Sequence, residues 1–349
     1  MERRKTRQVN LGKYKIGGDA PILVQSMLNA PAHDIEKNIA GARALEAAGC
    51  QAVRIAVPDF EAVDLVYALK EAVELPIIAD IHFNHEIALR CVEAGIDKIR
   101  INPGNIGSKD NALAVADACR AKGIPMRVGA NSGSVEEDLL KKYGGPTPEA
   151  MAQSALNYTR FIEESGFKDI VISIKSSSVQ NTIDCYRIVA KECDFPLHVG
   201  VTEAGTERLG IIKSSVGIGS LLCDGIGDTI RVSLTDDPVK EVYAAYDILG
   251  ALDLLPNAPQ MISCPTCGRT QIDLIAIANE VERRLRDVRK PIKVAVMGCP
   301  VNGPGEAKNA DVGIAGGKGC GIVFKKGEIL RKVPEEDLID ELFLEIERY

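Results

Sequence analysis

Short apolar, β-branched runs recur through the first two thirds of the chain. They are Ile22–Met27, Ala52–Val57, Pro76–Asp80, Lys98–Asn102, Met126–Asn131, Asp169–Lys175, Pro196–Glu203 and Thr229–Leu234. They lie roughly 22 to 43 residues apart, the rhythm of a strand followed by a helix. The segments between them carry apolar residues at helical spacing. Ile35, Ile39, Ala42 and Leu45 share one face of a run from Ile35 to Ala48 that Gly49 ends, and Glu61–Val73 and Glu86–Glu93 behave alike. Three stretches echo one another. Glu46–Ile55, Glu93–Ile101 and Glu164–Ile172 each read as a helix end, a glycine, a short loop and a buried strand. Eight such units predict an α/β fold, a (β/α)8 TIM barrel. Ahead of them, residues 6–20 read as a short hairpin that plugs the bottom of the barrel.

The pattern changes after Gly250. Leu255–Gln260 reads as a linker, dividing the chain into a substrate-binding barrel over residues 1–254 and a smaller domain over 255–349. The smaller part predicts α+β structure: a Cys-rich turn, a helix over Ile272–Arg286, strands at Ile292–Met297, Asp311–Ala315 and Gly321–Phe324, and a terminal helix from Glu335. A domain of this size gains stability from a bound metal centre.

The length of 349 residues agrees with two cores. There is no Trp and aromatics make up 4%, so Ala, Val, Ile and Leu must carry the packing, as in parallel sheets. A net charge of −7 argues against a general nucleic-acid binder. The basic start, Glu2–Arg7, is followed by no apolar segment of a secretory signal, and no stretch is long and apolar enough to span a bilayer. Ten cysteines then imply a reducing cytoplasm, where clustered thiols bind metal or do redox work.

Charge is placed unusually within the runs. Arg54, Arg100, Arg127, Lys175 and Arg231 stand in or at the end of apolar strands, with Asp80, His82, Asn131, Glu203 and Ser233 nearby. Barrel enzymes build their sites at the carboxyl ends of the strands. Unpaired cations in a packed barrel are costly, and forked guanidiniums fit phosphate oxygens, so the set predicts a mouth for an anion with two phosphoryl groups. For any single arginine an ion pair with a neighbouring acid is the competing reading. Asp80 and Glu203 are the obvious strand-end acids, too few for the whole set. His82, two residues after Asp80, is either a satisfied core histidine or a group that orients a substrate or relays a proton.

Cys264 and Cys267 are spaced C-x-x-C, and Cys299 follows in the Gly/Pro-rich loop Gly298–Glu306. That spacing lets a helix and a strand return the third thiol to the first two, and Cys-Pro is a recurrent end to iron–sulfur ligand runs. A structural zinc site with Cys320 as fourth ligand is the alternative. Cys50, Cys91, Cys119, Cys185, Cys193 and Cys223 are scattered and read as core filler. Gly217-Ile218-Gly219-Ser220 lacks the full dinucleotide-binding context, so electrons are expected from a separate carrier.

Specific motifs run through most of the chain. They include Val24-Gln25-Ser26-Met27, Ala79-Asp80-Ile81-His82-Phe83, Ile99–Asn105, Gly129–Ser134, His198–Gly205, Ile230-Arg231-Val232-Ser233, Cys264–Gly268 and Gly298–Glu306. By these the sequence resembles the 4-hydroxy-3-methylbut-2-enyl diphosphate synthase family, in its bacterial two-domain form. The resemblance implies a barrel followed by a [4Fe–4S] domain akin to sulfite-reductase modules. It implies reductive dehydration and ring opening of 2-C-methyl-D-erythritol 2,4-cyclodiphosphate in the methylerythritol phosphate pathway, fed by flavodoxin or ferredoxin, in a head-to-tail homodimer. It further implies that Cys264, Cys267, Cys299 and Glu306 hold the cluster. Arg54, Arg127, Lys175, Arg231 and Ser233 would hold the diphosphate, and Asp80, His82, Arg100, Asn131 and Glu203 would line the reacting end.

Overall fold

The computed structural model describes residues 2–102, 104–255, 257–299 and 307–349. The chain forms two compact units, one ending at Leu252 and the other running from Asp253 to Tyr349.

The first unit opens with a hairpin, β1 (Val9–Leu11) and β2 (Tyr14–Ile16). Eight parallel strands follow: β3 (Leu23–Met27), β4 (Ala52–Ala56), β5 (Ile77–Ile81), β6 (Lys98–Ile101), β7 (Met126–Asn131), β8 (Ile170–Lys175), β9 (His198–Val199) and β10 (Thr229–Ile230). Their order is β8-β7-β6-β5-β4-β3-β10-β9, and a parallel bridge between Ile172 and Leu197 joins β8 to the β9 edge, closing the barrel. Tyr186, fully buried on the helix Val179–Glu192, supports that seam. Its hydroxyl accepts from Ile174 N–H at 2.9 Å and donates to the His198 carbonyl.

The repeated helix ends take the expected form. Gly49 and Gly95 have φ of 89° and 82°, a left-handed turn that glycine adopts without a Cβ penalty. Cys50 N–H reaches Leu45 O at 2.9 Å and Ile96 N–H reaches Cys91 O at 3.1 Å, the closure of a Schellman motif. The hairpin does plug the barrel: Val9, Leu11 and Ile16 pack on Leu23, Ala52, Ile78 and Val171, from the amino-terminal parts of four strands.

Two expected strands prove much shorter. Pro196–Glu203 and Thr229–Leu234 each retain two paired residues, at β9 and β10. Beyond Val199 the chain leaves the ladder at Gly200, where a Cβ would meet the Arg231 carbonyl at 2.6 Å.

The second unit is a five-stranded sheet ordered β11 (Gln260–Ser263), β12 (Lys293–Met297), β13 (Val312–Gly317), β14 (Cys320–Lys325) and β15 (Glu328–Pro334). The first three run parallel and the last two antiparallel. Val294, Val296, Val312 and Ile314 face the helices Leu274–Leu285 and Leu338–Glu347. Ala295, Met297, Ala315 and Phe324 face the other way, toward Ala307 and Ala310. Two elements depart from expectation: Gln260 opens β11 instead of ending a linker, and β15 was not foreseen.

Candidate active site

Side chains alternate along a strand, so Lys98 and Arg100 on β6 point one way, as do Arg127, Gly129 and Asn131 on β7. Parallel register sets Asp80 on β5 beside Arg100, and Arg100 beside Arg127. Arg100 Nη1 donates to Asp80 Oδ1 at 2.7 Å, while Arg54 Nε stands 3.5 Å and His82 Nε2 3.7 Å from Asp80 Oδ2. Arg100 lies across β7 because residue 129 is glycine; a Cβ there would stand 2.9 Å from Arg100 Nε. The polar layer therefore sits directly above the apolar floor made with the hairpin.

Cations outnumber acids in this layer. Arg127 is fully buried, and none of its Nε, Nη1 and Nη2 has a hydrogen-bond partner among the described residues. The same holds for Arg100 Nε and Nη2 and for the buried Lys98 Nζ. Arg54 Nη2 rests 2.8 Å from Met27 Sδ, a weak acceptor. Burial pulls the Arg54 guanidinium down to about 10 against the pull of Asp80, and burial with neighbouring Arg54 and Arg100 pulls Arg127 well below its ordinary range. A guanidinium does not shed its proton near neutrality, so these shifts express an unmet need for an anion. Burial raises the Asp80 carboxyl, but His82, Arg100, Arg54 and Arg127 outweigh it and hold the group well below the carboxylate range.

A cavity opens above this layer, lined by Arg54, Ser173, Lys175, His198, Thr202, Arg231 and Ser233 among others. Burial, aided by Arg54 and Arg100, lowers the Lys175 amine to about 7. Arg231 is held by the buried Glu241, with Nη2 2.9 Å from Oε1 and Nε 3.1 Å from Oε2; Ser26 Oγ donates to the same carboxylate at 2.9 Å. Asn131 ends β7, its backbone N–H bonded to Ser134 Oγ at 3.0 Å. His82 is half exposed. Glu203 is exposed, in the loop past β9, at φ 53°, an uncommon conformation for glutamate.

Three residues of this site escaped the sequence reading. Glu241 lies on the helix Pro238–Ala251, not at a strand end, so the acids were undercounted and Arg231 has a partner of its own. Lys98 stands at the start of β6, in line with Arg100. His198 is buried with Nδ1 2.7 Å from Thr229 Oγ1; burial, then Arg127 and Lys98, push its imidazole well below the usual range, so it is neutral. The two-residue alternation is the signal for Lys98, two positions before Arg100; it gives none for His198, five positions before Glu203.

In the second unit the thiols follow adjacent parallel strands. Cys264 comes directly after β11 and Cys299 just after β12. Gly298 N–H points at Cys264 Sγ at 3.2 Å, Gln271 N–H bonds Gly298 O at 2.9 Å, and Thr270 N–H bonds Cys267 O at 3.0 Å, so the two loops are tied. The Arg269 backbone N–H and its side chain hold the exposed Cys267 thiol below its ordinary range. An amide N–H on one sulfur and a stabilised thiolate on another suit an iron–sulfur ligand set. Among the described residues no three His, Cys, Asp or Glu side chains are grouped as one metal ion would need. Glu306 lies outside the described residues. Cys320 opens β14 opposite Gly317. Of the thiols read as core filler, Cys50, Cys91, Cys119 and Cys185 are buried, and burial raises them to about 11 or 12. Cys193 is only half-buried and Cys223, at a helix end, is exposed, so that reading fails for Cys223.

Comparison with known proteins matches residues 6–246 to the GcpE TIM-barrel domain and residues 260–348 to the GcpE protein C-terminal domain. A Clostridium acetobutylicum protein named 4-hydroxy-3-methylbut-2-en-1-yl diphosphate synthase (flavodoxin) is 56% identical over 99% of each chain. One of the same name from Caldanaerobacter subterraneus is 54% identical over 99% of this chain and 98% of that one. Among solved structures, Yersinia pestis dihydropteroate synthase matches with a TM-score of 0.50 at 15% identity, covering 70% of this chain and 98% of that one. That likeness speaks to the barrel fold alone.

Proposed function

This chain belongs to the GcpE family, and we propose that it carries out the reaction for which its relatives are named. It is an oxidoreductase that forms 4-hydroxy-3-methylbut-2-en-1-yl diphosphate from 2-C-methyl-D-erythritol 2,4-cyclodiphosphate, a step of isoprenoid biosynthesis. One C–O bond to a ring phosphate breaks, one hydroxyl leaves as water, a C=C bond forms, and two electrons and two protons enter. The observation that carries this reading is the unpartnered Arg127, with Arg100 and Lys98, beneath a cavity lined by Arg54, Lys175, Arg231 and Ser233. A dianion bound there would touch Arg54, Lys175 and Arg231 and lie in the field of the unpartnered cations beneath them.

The residues divide by task. Arg54, Arg127, Lys175 and Ser233 hold the diphosphate, and Arg231 joins them while Glu241 fixes its orientation. Asp80 locks Arg100 and stays ionised, so Arg100 keeps a fixed direction. Asn131 and His82 would line the reacting end of the ligand. Glu203 positions or protonates the departing hydroxyl. Cys264, Cys267, Cys299 and Glu306 would hold a [4Fe–4S] cluster, which would relay electrons from flavodoxin. The working form is a head-to-tail homodimer in the cytoplasm; no helix among the described residues is long and apolar enough to cross a membrane.

Anaerobic turnover of the cyclodiphosphate with reduced flavodoxin tests the assignment. The parent protein should yield the linear diphosphate, and Glu203→Gln should keep its iron while turnover falls by about 10²-fold or more. Near-parental turnover by Glu203→Gln removes that residue's role, and no product from the iron-loaded parent removes the function.

A further inference from the structure

Lys98 counts among the unpartnered groups beneath the cavity, but no part of the ligand or the reaction is assigned to it above. It is fully buried at the first position of β6, two residues nearer the amino-terminal end than Arg100, and its Nζ has no partner among the described residues. The groups around it are of one sign or already committed. Arg127 on β7 and Arg54 on β4 repel its charged form, and His198 on β9 is close enough to feel it. Asp80 on β5 is engaged with Arg100 on Lys98's own strand. Two unpaired cations side by side in a dry interior are costly, and of the two only the amine can release its proton. Burial, followed by Arg127 and Arg54, pushes the Lys98 amine well below the ordinary lysine range.

We propose that Lys98 is a positioning residue of the anion site: neutral beneath Arg127 in the free protein, it takes up a proton when the diphosphate enters. The bound ligand then meets a charge that the empty barrel does not carry. A negative ligand above Arg127 removes the repulsion that kept Lys98 neutral, so binding and protonation are linked. The inference rests on the barrel mouth being the diphosphate site. The cyclodiphosphate itself carries one strongly acidic oxygen per phosphorus, ionised throughout the neutral range, so any proton taken up on binding goes to the protein.

Titration calorimetry of the full chain with the cyclodiphosphate, in two buffers of different ionisation enthalpy at about pH 8, counts that proton. Lys98→Met should take up about one proton fewer per site than the parent, bind more weakly, and melt no lower, since an apolar side chain of similar length replaces an unpartnered amine. Lys98→Gln serves the same comparison if the methionine variant does not fold. Lys175→Met separates the second amine, because it should lose its own proton and keep the one assigned to Lys98. Equal uptake by the parent and the Lys98 variant overturns the proposal, as does a lowered melting temperature with unchanged binding. If the parent binds no cyclodiphosphate, the anion site itself is wrong and the role of Lys98 falls with it.

Discussion

The interiors of the two units are built on opposite terms. The second unit buries Val, Ile, Leu and Ala on both faces of its sheet, and its candidate ligands lie past the ends of β11 and β12, with Cys267 exposed, Cys264 half-buried and Cys299 buried. The barrel keeps an apolar floor against its hairpin and then fills the next layer with Arg54, Asp80, Lys98, Arg100 and Arg127. A core that is apolar throughout is stable without a ligand. A core with more buried cations than acids is held below its attainable stability until an anion arrives. Substitution at the two sites should therefore have opposite signatures: at the tail thiols it removes a cofactor and leaves the sheet intact, and in the barrel it trades stability against binding.

The largest effect should come from Cys299→Ser. Iron content and turnover should both be lost, while calorimetry with the cyclodiphosphate shows barrel binding unchanged. Retained iron would remove Cys299 from the ligand set. Next in size is Asp80→Asn, which leaves Arg100 and Arg54 without their buried counter-charge and should cost about 3–5 kcal/mol by chemical denaturation of the free protein. A cost below about 1 kcal/mol would mean that the cations are already satisfied elsewhere.

The smallest is a pH effect set by Lys175, whose amine sits at about 7. Its charged form prevails below that value, and the cyclodiphosphate keeps a constant charge. Affinity should therefore fall as pH rises through about 7. Stability of the free protein should move the other way. Between about 7 and the unfolded lysine value of about 10.4, the unfolded chain binds a proton that the folded one has released, so stability rises with pH across that window. Lys175→Met should make both trends shallower while leaving the part carried by Lys98, and affinity that rises with pH would contradict the assignment.

The same contrast explains what the sequence could and could not tell. Barrel strands such as β7 and β8 are legible because a buried parallel strand is a continuous apolar run, bracketed by helices that end in glycine. In the tail, β15 is Glu-Ile-Leu-Arg-Lys-Val-Pro, largely exposed, with no apolar face to betray it, and β11 is a four-residue edge strand hidden behind Pro259. Arg54, Arg100 and Arg127 stand out because charge inside an apolar run is costly. Glu241 does not, because a glutamate on an amphipathic helix is ordinary until the fold turns it inward against Arg231. The run Pro196–Glu203 predicts Glu203 at a strand end, whereas the ladder stops at Val199 and leaves it in a loop at φ 53°.

Arg127 tests the central claim most directly, since it is fully buried and none of its guanidinium nitrogens has a partner among the described residues. Arg127→Met in the full chain should melt at or above the parent temperature in the absence of ligand and lose cyclodiphosphate binding by titration calorimetry. A variant that melts lower and still binds would contradict the account, because the guanidinium would then be a structural group and the barrel would not be waiting for an anion.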